Sequence, residues 1–268
     1  MKDLYQWHFP LGPGEINDAW TGGILSVDTN VLLDLYRYHE ETRNLLLKAL
    51  EHFGERTWLT NQVAEEFFRN RNSVIASASS GFTSADKIAE EILRQTGEEA
   101  AKLAKNRIIP QGSVSILQSD IQQAVNAFKL ELSKAKEAFP NFRDNDLIID
   151  RVCGLFNGRV GKPYDKSALE VALKEAKKRF DNEIPPGYKD ITEKKGDRRY
   201  GDYLIWRQLI DYAGDLKLPL IFVTSELKED WWERASGKTI GPRQELLKEY
   251  FEATGRRPPT VRKVVHSV

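Results

Sequence analysis

An acid directly follows a short, largely apolar segment near the start of the chain, which is where active-site acids lie in α/β proteins. The segment Ile24 to Val27 is β-branched at two of its positions, and Gly22 and Gly23 precede it. This pattern predicts a parallel strand that is covered on both faces. Asp28 then lies at the carboxyl end of the strand, beside which ligand crevices open in α/β sheets. Burying a lone carboxylate there costs several kcal/mol, so we expect Asp28 to be solvated, paired or bound to a metal ion.

Length and composition restrict the class of protein. The 268 residues are enough for one large domain or two ordinary ones. Lysine plus arginine equal aspartate plus glutamate, 40 against 40, so any nucleic-acid binding must use a local basic patch. A single cysteine, Cys153, excludes an internal disulfide framework and a cysteine-rich zinc site. We therefore expect a cytoplasmic protein.

The sequence supports neither a membrane protein nor a metal site built from histidines. No stretch approaches the roughly 20 apolar residues that a membrane helix requires. The first residues lack the uninterrupted apolar core of a signal peptide. The four histidines are scattered without ligand spacing at positions 8, 39, 52 and 266. We therefore expect neither a membrane partner nor a histidine-based metal site.

The periodicity of apolar residues divides the chain into three zones. Residues 20–72 alternate strand and helix, and this texture returns from about residue 184. The predicted elements here are a helix over Val31–Tyr38 capped by Thr29 or Asn30, a helix through Leu45 to Phe53, a strand at Thr57–Thr60, a helix with Val63 and Phe67, a loop at Pro185–Gly187, a helix over Tyr203–Tyr212, a buried strand at Leu220–Thr224 and an exposed strand at Thr260–Val265. We predict an α/β fold with a central parallel sheet flanked by helices, built from residues 1–72 and 184–268.

The middle zone, residues 73–183, is charge-rich and predicted to be a long helical insertion. Gly81 and the segment Pro110 to Gly112 punctuate it, which indicates an antiparallel helical hairpin. The first arm includes Ile88, Ile92 and Leu103. The second arm carries an apolar stripe at three- and four-residue steps, namely Leu117, Ile121, Val125, Phe128, Leu132 and Ala135. This stripe should pair with another helix, and the hairpin is a candidate for dimerisation or for docking to a partner protein.

Three further acidic positions follow strands or begin helices. Glu66 borders the helix face of Val63 and Phe67, although it also suits an ordinary first-turn acid favoured by the helix dipole. Asp202 starts a strongly apolar helix, where capping alone also explains it. Glu226 comes two residues after Thr224 and thus lies at a strand's carboxyl end, with Asp230 as the nearby competitor.

These acids suggest a shared chemistry if they meet in one crevice. Like charges at short range repel, and a divalent cation resolves that repulsion. Ligands that are all oxygen select a hard ion such as Mg²⁺ or Mn²⁺. Hydrolysis of a phosphodiester is the natural reaction of such a centre, because no protein nucleophile is then needed.

At this point the chain resembles the PIN-domain nucleases, specifically the larger PIN-like group with a helical insertion found in bacteria. The matching blocks span most of the chain, and their order and spacing are specific. They are Val27–Leu33 with Tyr36 and Arg37, Gln62–Arg71, Pro185–Asp190, Gly201–Trp206, and Val223–Trp232 with Gly241, Pro242 and Arg243. The resemblance implies a metal-dependent endonuclease, mostly acting on RNA rather than DNA, in a setting of bacterial toxins or antiviral defence.

The resemblance also implies roles for particular residues. Asp28 and Asp202 would be metal ligands, and Glu66 would orient water or bind a second ion. The family's last acid is usually an aspartate, whereas this chain has Glu226, which would complete the outer shell, with Asp230 as a reserve ligand. Asn30 and Thr224 would position carboxylates or waters by hydrogen bonds.

Candidate substrate contacts combine cations with aromatic rings, as single-stranded nucleic-acid sites do. They are Lys194, Lys195, Arg198, Arg199 and Tyr200, and after Glu66 also Arg69 and Arg71. A solvated loop of routine charge explains the first group equally well, and salt bridges into the insertion explain the two arginines after Glu66 nearly as well. The pair Trp231 and Trp232 is expected to pack in the core before a helix.

Two other functions remain open from the sequence. A PIN-like module with a substituted last acid can bind RNA or protein while cleaving slowly or not at all, and the discriminating feature is whether Glu226 reaches the other carboxylates. A phosphatase of the haloacid-dehalogenase type also places an aspartate after its first strand. It normally needs a second aspartate two residues on, where this chain has Asn30.

Overall fold

The computed structural model describes residues 1–191, 195–216, 218–257 and 259–263. The chain forms two compact units, one made of residues 1–71 and 147–268 and the other of residues 72–146. The elements in chain order are α1 (Pro13–Gly22), β1 (Ile24–Val27), α2 (Thr29–Asp34), α3 (Glu40–Phe53), α4 (Asn61–Ala78), α5 (Ser80–Ala104), α6 (Gln111–Ala138), α7 (Leu147–Leu155), α8 (Lys166–Asp181), α9 (Gly201–Asp215), β2 (Leu220–Thr224), β3 (Trp232–Ala235), β4 (Lys238–Pro242), α10 (Gln244–Thr254) and β5 (Thr260–Lys263).

The first unit is built on a parallel sheet with strand order β1-β2-β5. Val27 pairs with Val223, and Thr224 pairs with Lys263, so the strands end at a common edge. All four residues of β1 are buried, and β2 is buried except at Val223. The apolar runs of these strands are covered because helices pack on the sheet, as parallel sheets require. The predicted α/β class with a central parallel sheet, flanking helices and a long helical region is confirmed.

The predicted strand at residues 57–60 is wrong. This segment forms only two isolated bridges, one pairing Thr57 with Leu25 and the other pairing Leu59 with Val160. The backbone changes partner after a single residue, since the amide of Trp58 donates to Leu25 and that of Leu59 donates to Arg159. No continuous ladder can form when successive residues bond to different segments.

Two further expectations about local structure need correction. The cap of α2 is Asp28 itself, not Thr29 or Asn30, and the helix ends at Asp34 rather than Tyr38. Trp231 and Trp232 are buried as expected, but Trp232 begins a two-stranded antiparallel hairpin, β3 and β4, where a helix was predicted to follow. The hairpin turns at Ser236 and Gly237, both with positive φ, which a Ser-Gly dipeptide favours. The last strand, β5, covers residues 260–263, and the predicted residues 264 and 265 lie outside the described part of the chain.

The second unit contains the helical hairpin of α5 and α6, which pack along each other. Lys129 on α6 pairs with Asp86 at 3.0 Å and Glu90 at 3.1 Å on α5. Val125 of the predicted stripe is buried, whereas Phe128 is 48% exposed, so two helices cover only part of the stripe. The expectation that this hairpin mediates dimerisation or docking stays a prediction.

The compact helical unit is shorter than the insertion predicted for residues 73–183. It ends at Asp146, and α7 and α8 belong to the α/β unit. The reason is packing, because the buried side of α8, with Ala172, Ala176 and Phe180, forms a cluster with Tyr203 and Leu204 of α9. Helical periodicity alone does not reveal which unit a helix joins. Among the residues described, no helix combines the length and apolar character needed to cross a bilayer.

Candidate active site

Asp28 leaves the sheet at the carboxyl end of β1 and is only 8% exposed. Its Oδ1 accepts a hydrogen bond from the Thr29 amide at 2.7 Å, which caps α2. Its Oδ2 accepts a hydrogen bond from the Thr224 hydroxyl at 2.8 Å. The backbone amide of Asp28 also donates to Val223 at 2.8 Å. The ends of β1 and β2 therefore hold this carboxylate in one orientation.

The environment of Asp28 disfavours its ionised form. Burial is the main cause and raises the pKa of Asp28 from 3.8 to about 7, with further increases from the nearby charges of Glu66 and Glu226. The hydrogen bonds from Thr224 and Thr29 act in the opposite direction and lower this pKa. Burial and neighbouring negative charge both disfavour the carboxylate, and a nearby cation would counteract both effects.

Glu66 lies on the first turns of α4 and is 8% exposed. Its Oε1 accepts a hydrogen bond from Gln62 Nε2 at 2.7 Å, and its Oε2 lies 3.5 Å from the hydroxyl of Thr29. Arg69, one turn further along α4, approaches Glu66 at 3.7 Å. The side chain thus leans from its helix toward the residue that follows Asp28, which is the geometry expected for a glutamate at the border of the buried face.

Asp202 lies in the first turn of α9, where that helix approaches Glu66. A Cβ atom added to the preceding Gly201 would lie 2.2 Å from Glu66 Oε1, so only glycine allows this close contact. The Oδ2 of Asp202 accepts a hydrogen bond from Trp231 Nε1 at 3.0 Å. The start of α9 thus brings Asp202 to the same side of the sheet as Glu66.

Glu226 follows β2 and is partly buried. Its backbone amide donates to Thr224 Oγ1 at 2.9 Å, so one hydroxyl organises both Asp28 and the Glu226 loop. One carboxylate oxygen of Glu226 accepts from the amides of Leu227 at 2.8 Å and Lys228 at 3.0 Å. The side chain is therefore held by its own loop while its charge still acts on Asp28.

These acids line a single cleft of about 600 Å³ together with basic and amide side chains. The cleft residues are Asp28, Thr29, Asn30, Glu66, Arg69, Asn70, Lys195, Arg198, Asp202, Glu226 and Lys228. Four are acids and four are lysines or arginines, which suits a cation and an anion bound side by side. Lys228 and Asn70 were not predicted. Lys228 was detectable in principle, because it follows Glu226 by two residues in the loop after a buried strand.

Several predicted site residues lie elsewhere. Asp230 is fully buried outside the cleft, and its Oδ2 accepts hydrogen bonds from the amides of Gly187 at 3.0 Å and Lys189 at 3.2 Å. Burial raises its pKa. Asp230 therefore holds the Pro186–Lys189 turn through Oδ2, and its role as a reserve ligand stays a prediction.

Only some of the residues predicted to stack on bases or bind phosphate line the cleft. Tyr200 packs against Phe180 with ring centroids 5.0 Å apart, and Arg199 lies over the Tyr200 ring at 5.7 Å. Neither Arg199 nor Arg71 lines the cleft. Lys194 lies outside the described residues. Arg69, Lys195 and Arg198 are the predicted cations that reach the cleft.

The acids are not preassembled as a metal cage. In the part of the chain that the structure describes, no three His, Cys, Asp or Glu side chains lie close enough together to hold a metal ion. The donor chemistry nevertheless fits a hard divalent cation, because the candidates are carboxylate oxygens and the charges of Glu66 and Glu226 already disfavour an ionised Asp28. This set of oxygen donors differs from the thiolate and imidazole donors that bind softer metal ions.

One family of known proteins matches most of the chain. The family profile described as "PIN like domain" matches residues 24–246, which include every acid of the cleft. No curated protein and no solved structure shows significant similarity to the chain. The match covers more than half of the chain and thus establishes its family.

Proposed function

The chain belongs to the PIN-like domain family, a nuclease-type superfamily, and on that basis we propose that it is a Mg²⁺- or Mn²⁺-dependent endoribonuclease. The observation that carries this proposal is that Asp28, Glu66, Asp202 and Glu226 line one cleft with four cationic side chains. These acids come from four distant segments of the chain. A structural role for each acid separately would not require them to share a cavity.

The acids of the cleft would hold the cation. Asp28 is the central candidate because its carboxylate is buried, oriented by two hydrogen bonds and close to the charges of Glu66 and Glu226. When bound, such a cation would act as a Lewis acid toward a phosphate oxygen and would lower the pKa of a water molecule bound to it. In the described part of the chain no three acids lie close enough to form a cage, so Glu66 and Asp202 would have to move closer to Asp28 to share a cation with it.

The remaining cleft residues bind and orient the substrate. Arg69, Lys195 and Arg198 supply positive charge for the phosphates on either side of the scissile bond. Gln62 orients Glu66, Trp231 orients Asp202, and Thr224 orients Asp28, each through a direct hydrogen bond. These contacts reduce the movement that the acids must make before reaction.

The position of Glu226 favours an active enzyme over an inactive binding module. Its side chain lines the cleft, and its charge raises the pKa of Asp28. A carboxylate is therefore retained where the family usually has an aspartate. The family assignment argues against the haloacid-dehalogenase-type phosphatase.

The decisive experiment compares nucleic acids and metals. The purified 268-residue chain is incubated with single-stranded RNA, single-stranded DNA and duplexes, with Mg²⁺, Mn²⁺ or EDTA. We expect internal cleavage of single-stranded RNA that EDTA abolishes and that Asp28→Asn lowers by at least about a hundredfold. The matched control is Asp34→Asn, which lies on the same short helix, pairs with Arg37 at 2.8 Å and does not line the cleft.

Opposite outcomes overturn the proposal. Cleavage that resists EDTA, or an Asp28→Asn variant as active as Asp34→Asn, would refute the proposed metal-dependent mechanism. Preferential cleavage of DNA would refute RNA as the substrate. The toxin or defence setting has its own test, in which expression of the chain in a bacterial host arrests growth and expression of Asp28→Asn does not.

A further inference from the structure

A second cavity adjoins the acidic cleft in the α/β unit. It has a volume of about 200 Å³, and Arg69 and Arg198 line both cavities. The helices α4 and α9 also contribute to both, since α4 carries Glu66 and Asn61 and α9 carries Asp202 and Gln208. A chain of nucleotides whose phosphate lay between the two arginines would therefore place a neighbouring group in the second cavity.

The walls of this cavity suit a flat, uncharged group with a polar edge. One side is apolar and comes from Pro163, Tyr164, Leu169, Leu173 and Leu204. The Tyr164 hydroxyl donates to Asp211, which limits rotation of its ring. Two acids, Glu65 and Asp197, balance the two arginines. A phosphate gains little from such a balanced cavity, whereas a nucleobase finds apolar faces for its ring.

The polar side of the cavity presents amides that are available for hydrogen bonding. Gln208 is 8% exposed, and its Oε1 accepts a hydrogen bond from the Gln62 amide at 3.0 Å, which fixes the orientation of its carboxamide. Its Nε2 donates to no residue that the structure describes, and the Asn61 side chain likewise has no partner there. Carboxamides of this kind recognise the edges of bases in unpaired nucleic acids.

A chain of contacts links this cavity to the acids. The Gln208 side chain holds the Gln62 backbone, and the Gln62 side chain donates to Glu66 Oε1 at 2.7 Å. A group that engages Gln208 therefore acts through Gln62 on one of the acids of the cleft. Occupation of the cavity can change turnover as well as affinity.

We propose that this second cavity, bounded by Tyr164, Leu169, Gln208 and the shared Arg69 and Arg198, is a subsite for a single unpaired nucleobase next to the scissile phosphate. The inference rests on the proposed nuclease function and deepens it. Its volume holds one ring system and not a base pair, so the substrate is single-stranded at this position. The subsite gives the enzyme a base preference at one fixed distance from the cut.

The first test does not depend on cleavage. Saturation-transfer NMR is recorded on the 268-residue chain in EDTA with each of the four nucleoside 5′-monophosphates and with ribose 5-phosphate. We expect saturation of base protons for at least one nucleotide, and a loss of affinity of about tenfold in Leu169→Trp, which fills the cavity. The control Val171→Trp lies on the same helix but does not line this cavity. Base protons that stay unsaturated, or equal loss in both variants, overturn the subsite.

The second test uses cleavage of a single-stranded oligoribonucleotide with one abasic site, placed in turn at each position around the cut. We expect one position at which the missing base slows the wild type about tenfold or more, and no such position in Leu169→Trp. Gln208→Glu keeps the acceptor for the Gln62 amide but removes the donor, so it should alter base preference, and a melting curve checks that the added charge leaves the protein folded. Cleavage that is indifferent to every abasic site overturns the subsite and leaves the nuclease function intact. Absence of cleavage with base-dependent binding refutes the nuclease and retains the base site.

Discussion

The hydroxyl of Thr224 donates a hydrogen bond to Oδ2 of Asp28 at 2.8 Å across 196 residues of sequence. The hydroxyl oxygen of Thr224 also accepts a hydrogen bond from the Glu226 amide at 2.9 Å. A single hydroxyl therefore joins the carboxyl ends of β1 and β2 and orients the acid at each end. This contact lowers the pKa of Asp28 against the larger opposing effect of burial.

Replacing Thr224 with valine removes that hydroxyl while keeping the branched shape. We expect the unfolding free energy to fall by about 1–3 kcal/mol, because a buried carboxylate oxygen and the Glu226 amide both lose their partner. The pKa of Asp28 should rise further, so the acid limb of the pH–rate profile moves to higher pH. Urea unfolding and initial cleavage rates from pH 5 to 9 measure both effects. Thr224→Ser keeps the hydroxyl and should stay near the wild type, and equal behaviour of the two variants would refute this role.

Asp28→Asn should stabilise the protein at alkaline pH in EDTA. The pKa of Asp28 is raised from 3.8 to about 7, so the folded protein binds this proton more tightly than the unfolded chain does. Its stability therefore falls as pH rises between these values, and the full cost of ionised Asp28 is present above pH 7. We expect a gain of about 1–3 kcal/mol for the variant at pH 8 and little difference at pH 4.

Thermal unfolding at several pH values measures this effect, with Asp34→Asn as the control. Adding Mn²⁺ should raise the melting temperature of the wild type at pH 8 and leave Asp28→Asn nearly unchanged. A variant that is less stable than the wild type at pH 8 would show that Asp28 stabilises the fold as an ion.

Gly201→Ala tests the close approach of α9 to Glu66. The added Cβ would lie 2.2 Å from Glu66 Oε1, so the glutamate must move away from Gln62. We expect cleavage to fall by about ten- to a hundredfold, since small displacements of reacting groups have large effects. Gly214→Ala on the same helix is the matched control, because a Cβ there meets nothing within 4 Å. Single-turnover rates and melting temperatures distinguish the effects, and equal activity of both variants would exclude Glu66 from the site.

Glu226→Gln removes a charge from the cleft with little change of shape. Its amide oxygen can still accept from Leu227 and Lys228. The loss of a like charge should lower the pKa of Asp28 and move the acid limb of the pH–rate profile to lower pH. The Mn²⁺ concentration for half-maximal activity should rise about tenfold. Glu229→Gln, whose carboxylate pairs with Lys189 at 2.6 Å outside the cleft, is the control. An unchanged Mn²⁺ requirement would place Glu226 outside the metal site.

Local sequence was sufficient for the parts of the fold that depend on short-range patterns. The strands β1 and β2 have the predicted bounds, because a short apolar run rich in β-branched residues that follows a glycine or a proline is typical of a buried strand. Asp28 and Glu226 could be placed at strand ends for the same reason. The helix of Glu66 was equally clear, since Val63 and Phe67 define its buried face.

Long-range contacts were needed for the rest. Nothing in the local pattern separates Glu226 from Asp230, and only the amides of Gly187 and Lys189 turn Asp230 away from the cleft. The local pattern of residues 57–60 predicts a strand, but the segment forms only one bridge with each of two different neighbours, Leu25 and Val160. The second cavity is likewise lined by residues from distant segments of the chain. Periodicity records which side of an element is apolar, whereas the partners of a polar atom depend on how remote elements pack, and that information lies in no single stretch of the chain.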